Sequence, residues 1–188
     1  MNNKRVALIG VGNIMFCDEG IGAYALRYIE KNYEIPKNLT LVEGSSLGFS
    51  MMTYYHEYDK IIVLGTGSDE GEAGLIKCED ADAILSKGPV RKTANEVEIT
   101  MMIEICSFHE NMGEVTLVTM VPDDIVSVRN GLTKTTLANM PDFVQKVLEV
   151  LKAEGFELQQ KENLCSFEEI IEEFANPKQT FDPQMLKS

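Results

Sequence analysis

Arg5-Val6-Ala7-Leu8-Ile9-Gly10-Val11-Gly12-Asn13-Ile14-Met15-Phe16-Cys17-Asp18-Glu19-Gly20-Ile21-Gly22 reads as a strand, a tight turn and the start of a helix. Val6 to Ile9 is an apolar run of strand type, and a helical pattern begins near Gly20. Four glycines and Asn13 lie in the connection. Such a turn must bend sharply or bring its backbone close to something else. Asp18 and Glu19 fall at the start of the helix, where unpaired N–H groups and the helix dipole favour negative charge. Both have a plain reading as first-turn residues with no further role.

Gly10-Val11-Gly12 supplies the first half of a dinucleotide-binding fingerprint, G-x-G-x-x-G. Glu43, at the end of the next strand, stands where a ribose-binding carboxylate would. The third glycine position, however, is Met15. A pyrophosphate there would also lie beside Asp18 and Glu19, and like charges repel. A nucleotide site is therefore the weakest of the functional readings.

The 188 residues suit one domain with a sizeable core. Seventeen basic and 30 acidic side chains give a formal charge of −13. That charge argues against nucleic acid as a partner, because phosphate binding needs a basic face. The N-terminal apolar run is too short for a signal peptide, and no stretch approaches membrane-spanning length, so no membrane insertion is expected. Cys17, Cys78, Cys106 and Cys165 are scattered with no C-x-x-C pair. They read as free thiols in a reducing compartment, hence a cytoplasmic protein.

Ile21, Ala25, Tyr28 and Ile29 place one apolar face on the first helix, which Asn32 and Pro36 bring to an end. Leu39 to Val42 is a short strand, and Phe49 to Tyr58 a second helix with His56 near its end. Lys60 to Gly65 is the β-branched run of a buried parallel strand. It empties into the acidic loop Thr66–Gly74. Leu75 to Cys78 reads as an edge strand. Residues 86–95 form a loop with Lys87, Arg91 and Lys92, read either as solvated or as a carboxylate contact. A buried helix follows over Val97–Cys106, with His109 beyond it on the surface. Val115 to Val121 is another buried strand, ended by Pro122. Asn130-Gly131-Leu132-Thr133 then leads into a long helix reaching Lys152, kinked at Pro141. From Glu154 the chain turns acidic, with eight acidic and three basic residues. That part holds one short amphipathic piece, Phe167 to Phe174, before a tail.

Strands alternating with helices predict an α/β domain with a mainly parallel sheet over residues 1–155, followed by an acidic extension and tail over 156–188. Ligand sites in such sheets form beyond the carboxyl ends of the strands. Glu19, Glu43, Gly65 with its acidic loop, and Pro122-Asp123-Asp124 all follow strand ends, so one shared cleft is expected.

Three segments carry a resemblance to the [NiFe]-hydrogenase maturation endopeptidases. They are Gly10-Val11-Gly12-Asn13-Ile14 with Asp18-Glu19-Gly20-Ile21-Gly22, the Val121-Pro122 strand end, and Gly131-Leu132-Thr133 opening the last helix. The order and spacing agree over roughly residues 4 to 155. The resemblance implies a three-layer, hydrolase-like α/β sandwich, with a mixed five-stranded sheet flanked by helices. It implies a peptidase that clips a C-terminal peptide from the hydrogenase large-subunit precursor, with nickel carried by that precursor as the recognition element and no intrinsic cofactor. The family's metal-coordinating set is a Glu, an Asp and a His, and the Glu corresponds to Glu19. Where the Asp is expected this chain has Gly65, and where the His is expected it has Asn95. Glycine offers no ligand and Asn is a weak donor for nickel beside imidazole. Substitute ligands are available in Asp69, Glu70 and Glu72 on the acidic loop and in Glu96 and Glu98 beside Asn95, with Asp69 the one expected to fold back toward Glu19. Gly65, Asn95 and Glu43 are the positions expected to face substrate. Two readings follow: a peptidase with a reshaped metal cleft, or a non-catalytic homologue that binds a hydrogenase-type subunit as a chaperone.

Overall fold

The computed structural model describes residues 4–67, 71–86, 94–108 and 112–176, with the backbone alone for 94–97. The elements run β1 (Val6–Gly10), a 3-10 turn (Cys17–Gly20), α1 (Ile21–Asn32), β2 (Leu39–Glu43), α2 (Met52–Glu57, after a 3-10 turn at Gly48–Met51) and β3 (Lys60–Thr66). They continue as β4 (Ile76–Asp80), α3 (Ala81–Ser86), α4 (Ala94–Ser107), β5 (Glu114–Met120), α5 (Lys134–Ala153) and α6 (Phe167–Ala175). The five strands form one sheet in the order β2-β1-β3-β5-β4. β1 pairs in parallel with β2 and β3, and β3 with β5. β4 pairs antiparallel with β5 at the sheet edge, where an edge strand was expected over Leu75 to Cys78. Its Lys77, Glu79 and Asp80 keep that edge charged, which discourages pairing with another chain.

Every residue of β1 and β3 is buried, yet their side chains still alternate between two cores. Val6, Leu8, Ile62, Leu64, Val118 and Met120 meet α1, α5 and α6 on one face. Ala7, Ile9, Ile61, Val63, Val115 and Leu117 meet α2, α3 and α4 on the other. Burial on both faces is why these strands read as continuous apolar runs rather than alternating ones.

The glycines of the opening stretch serve helix-on-sheet packing. A Cβ at Gly22 would lie 2.1 Å from the Leu64 carbonyl oxygen and 2.3 Å from that of Val11. α1 therefore begins with its backbone against β1 and β3. Gly12 has φ +140°, and a Cβ there would lie 1.9 Å from the Glu19 carbonyl oxygen. That turn folds onto itself and needs a residue without a side chain.

Several expected elements differ in detail. The expected second helix splits into a 3-10 turn and the short α2. α3 was not anticipated, because six residues with one buried side chain, Ile84, carry no legible period. α5 continues through Pro141, as expected, and ends at Ala153. The acidic extension joins the main core: Phe156, Phe167 and Ile170 belong to the cluster under α1 and α5. Asn32, expected only to end α1, is fully buried. Its amide donates to the Cys165 carbonyl at 3.0 Å, and its Oδ1 accepts from the Cys165 N–H at 2.7 Å. Asp69, the basic loop residues Lys87, Arg91 and Lys92, His109 and the tail beyond Asn176 lie outside the described residues.

Candidate functional site

Glu19 sits in the 3-10 turn between β1 and α1, and only 8% of it is exposed. The Thr66 hydroxyl, at the carboxyl end of β3, donates to Glu19 Oε2 at 3.3 Å. A nearly buried carboxylate is thus fixed at the edge where α/β sheets bind ligands.

Asp18 does something that the sequence did not disclose. It is fully buried, and both its oxygens are used as acceptors. Oδ2 accepts the Asp123 and Asp124 N–H groups at 3.0 Å each and the Thr133 hydroxyl at 3.0 Å. Oδ1 accepts the Thr133 N–H at 2.7 Å. One carboxylate therefore ties the turn after β1 to both ends of the β5–α5 connection. Bonds of this kind, with a charged acceptor and little water, are the strong ones. The Asp18 N–H donates to the Asp124 carbonyl and the Cys17 N–H to that of Arg129, each at 3.0 Å. The Gly131 N–H donates to the Tyr24 hydroxyl from α1 at 3.0 Å.

Cys17 is the one described non-glycine residue with positive φ, at 49°. Strain of this sort costs about 1–3 kcal/mol and persists only where surrounding structure holds it. Here it sends Phe16 outward and Cys17, Asp18 and Glu19 inward. Burial, reinforced by the Asp18 charge, pushes the Cys17 thiol up, and its side chain is packed away from solvent. Asp124 caps its own turn. The Ser127 hydroxyl and the Ser127 and Val126 N–H groups hold its carboxyl down to about 2.

The other expected site residues are placed as follows. Gly65 is buried in β3, paired with Thr119. A Cβ there would meet Val11 Cγ2 at 2.9 Å, on the α2–α4 face of the sheet, whereas Glu19 meets Thr66 next along the strand. Asn95 lies in the first turn of α4. Glu43 ends β2, paired with Gly10 of β1. Its carboxylate accepts from the Ser45 N–H at 3.0 Å, and it lines a cavity of about 960 Å³ with α1 and α6 residues such as Leu26, Arg27 and Phe174. β2, at the sheet edge, delivers Glu43 to the α6 side. Among the described residues no three His, Cys, Asp or Glu side chains are grouped to hold a metal ion.

The model of the hydrogenase maturation protease family (HycI) matches residues 23–150. This chain belongs to the hydrogenase maturation protease family. It is similar to HupD of Rhizobium leguminosarum bv. viciae, a hydrogenase expression/formation protein, at 26% identity over 80% of this chain and 76% of that one. With the hydrogenase 2 maturation protease of Escherichia coli K12 it shares 23% identity over 81% of this chain and 94% of that one. Its fold matches that of the E. coli hydrogenase maturating endopeptidase HybD with a TM-score of 0.77. That match covers 84% of this chain and 98% of HybD at 21% identity. The three-layer architecture and the mixed five-stranded sheet are those of a maturation protease, as the opening motif implied.

Nothing in one dimension pairs Asp18 with Thr133. The available signal was Gly131-Leu132-Thr133 itself: Thr133 caps α5, accepting from the Thr136 N–H at 3.2 Å, so its own N–H needs a partner outside the helix.

Proposed function

We propose that this maturation protease removes a C-terminal peptide from a [NiFe]-hydrogenase large-subunit precursor and reaches the precursor's nickel through Glu19. The observation that carries this reading is a nearly buried carboxylate fixed at the carboxyl edge of the sheet, braced by Thr66 on one side and by the Asp18-held turn on the other. The nickel arrives as cargo of the substrate. Bound by Glu19, it supplies Lewis acidity to a carbonyl or water. Asp69 is proposed as the second carboxylate, in place of the aspartate that Gly65 lacks. Among the described residues no helix is long and apolar enough to cross a membrane. The four free cysteines support a cytoplasmic site of action.

Gly65 and Asn95 favour a second reading, in which the chain binds the precursor without cutting it. Mass spectrometry of a nickel-loaded large-subunit precursor, incubated with the parent or with Glu19→Gln, separates the two. Loss of a C-terminal peptide with the parent alone supports the peptidase. An intact precursor that co-purifies with the parent supports the binding role.

A further inference from the structure

The turn after β1 and the loop after β5 leave four apolar side chains exposed. Met15 is 57% exposed, Phe16 38%, Val126 80% and Val128 71%. Their two segments run side by side: Phe16 forms a parallel bridge with Arg129, the residue after Val128. The Cys17–Arg129 and Asp18–Asp124 backbone bonds hold the two segments side by side. Neither segment is free to fold its apolar groups away. Asp18 grips the loop at Asp123, Asp124 and Thr133, and Asp124 Oδ1 accepts the Val126 and Ser127 N–H groups at 3.0 Å each, holding Val126 at the tip. Cys17, the residue after Phe16, keeps a positive φ, which the surrounding bonds hold at an energetic cost. Apolar groups grouped and immobilised in water mark an interaction surface rather than scattered exposure.

We propose that Met15, Phe16, Val126 and Val128 form a docking platform for an apolar segment of the hydrogenase large-subunit precursor, next to the bond presented at Glu19. This rests on the function proposed above, and continuity with Glu19 selects the occupant. Phe16 is three residues from Glu19 in the chain, and the platform's second strip is bonded to the residue before it. The Glu19 N–H donates to the Phe16 carbonyl at 3.0 Å, so Phe16 and Glu19 share one turn. Pre-organised apolar groups lose little entropy on binding, so the platform contributes affinity at the point where the substrate must be positioned.

The test measures association of a nickel-loaded large-subunit precursor with Glu19→Gln, and with Glu19→Gln carrying Val126→Ser and Val128→Ser. Phe108→Ser, at an 88% exposed residue just past the far end of α4, is the control for any apolar surface change. Because both valines are mostly in water, their replacement leaves the melting temperature unchanged. The serine pair is expected to weaken association about tenfold and the control less than about twofold. In the Glu19-intact protein the same pair raises KM with kcat unchanged. Association within twofold of the parent overturns the platform even where cleavage proceeds normally. A valine-sensitive association without any cleavage supports the platform while removing the peptidase reading.

Discussion

Two adjacent carboxylates, Asp18 and Glu19, look interchangeable in the sequence and have opposite surroundings in the fold. Glu19 keeps an edge toward solvent, and Asp18 has none. For Asp18 all the partners on both oxygens are donors, which decides what a substitution does. Asn at this position would aim its NH2 at N–H or O–H groups already pointing inward. Ala would leave three backbone N–H groups without their acceptor. Both variants are expected to destabilise the fold by about 3 kcal/mol, with Asn nearly as damaging as Ala. Urea denaturation of the two variants checks this, and near-parent stability of Asp18→Asn would contradict the latch. Gly65 illustrates a different point. Its motif position implies a lost ligand, but the space beside it is filled by Val11. Restoring a carboxylate there requires Val11 to move.

Among the elements, α6 contributes more than its acidic composition suggested. Ser166 caps it and accepts from the Glu169 N–H, while the Glu169 carboxylate accepts from the Ser166 N–H at 2.7 Å. Phe167 stacks on Tyr28 with ring centres 4.1 Å apart, and Phe174 meets Tyr24 edge-on at 5.4 Å. Tyr24 in turn holds Gly131, and a Cβ on Gly131 would meet Ile171 of the same helix at 3.3 Å. α6 thus braces the turn that opens α5 and carries Thr133, the partner of Asp18. Phe174→Ala is expected to cost about 2 kcal/mol, less than a fully buried phenylalanine because Phe174 is only half-buried. It should also speed amide exchange at Gly131 and Thr133 beyond the global loss of stability. Exchange at those amides that merely follows global unfolding would confine α6 to packing.

At the scale of the whole molecule, the end of the sheet away from Glu19 is closed by charge. Lys60 Nζ lies 3.3 Å from Glu154 and 3.6 Å from Glu114, and Lys4 Nζ lies 2.6 Å from Glu154. Lys60 and Glu154 are 10% and 16% exposed at their side chains, whereas the pair Lys152–Glu157 is 67% and 77% exposed. Exposed pairs contribute little, while a shielded charge left alone is costly. Glu154→Gln is therefore expected to lose about 2 kcal/mol, and Glu157→Gln close to nothing, in parallel melts. Burial alone would raise the Glu154 carboxyl. The Lys4 hydrogen bond and the Lys60 and Lys4 charges outweigh it and hold the group below its ordinary 4.5. A lowered carboxyl stabilises the fold above the unfolded value and loses that contribution as pH falls through the folded one. The difference between parent and Glu154→Gln should accordingly be full at pH 6 and shrink as pH falls below about 4.5.

The apolar periods, the glycine turn and the strand–helix alternation determined the α/β class, the edge position of β4 and the family, because these depend on residues close together in the chain. The opening motif singled out Glu19 for the same reason. Tertiary structure alone decided that Asp18 is a latch, that Glu43 faces α6, and that the acidic extension belongs to the core. Each of these depends on groups about 20 to more than 130 residues apart. The donors that satisfy a buried carboxylate are backbone N–H groups, which every residue but proline carries. No sequence pattern announces them until the fold brings them together.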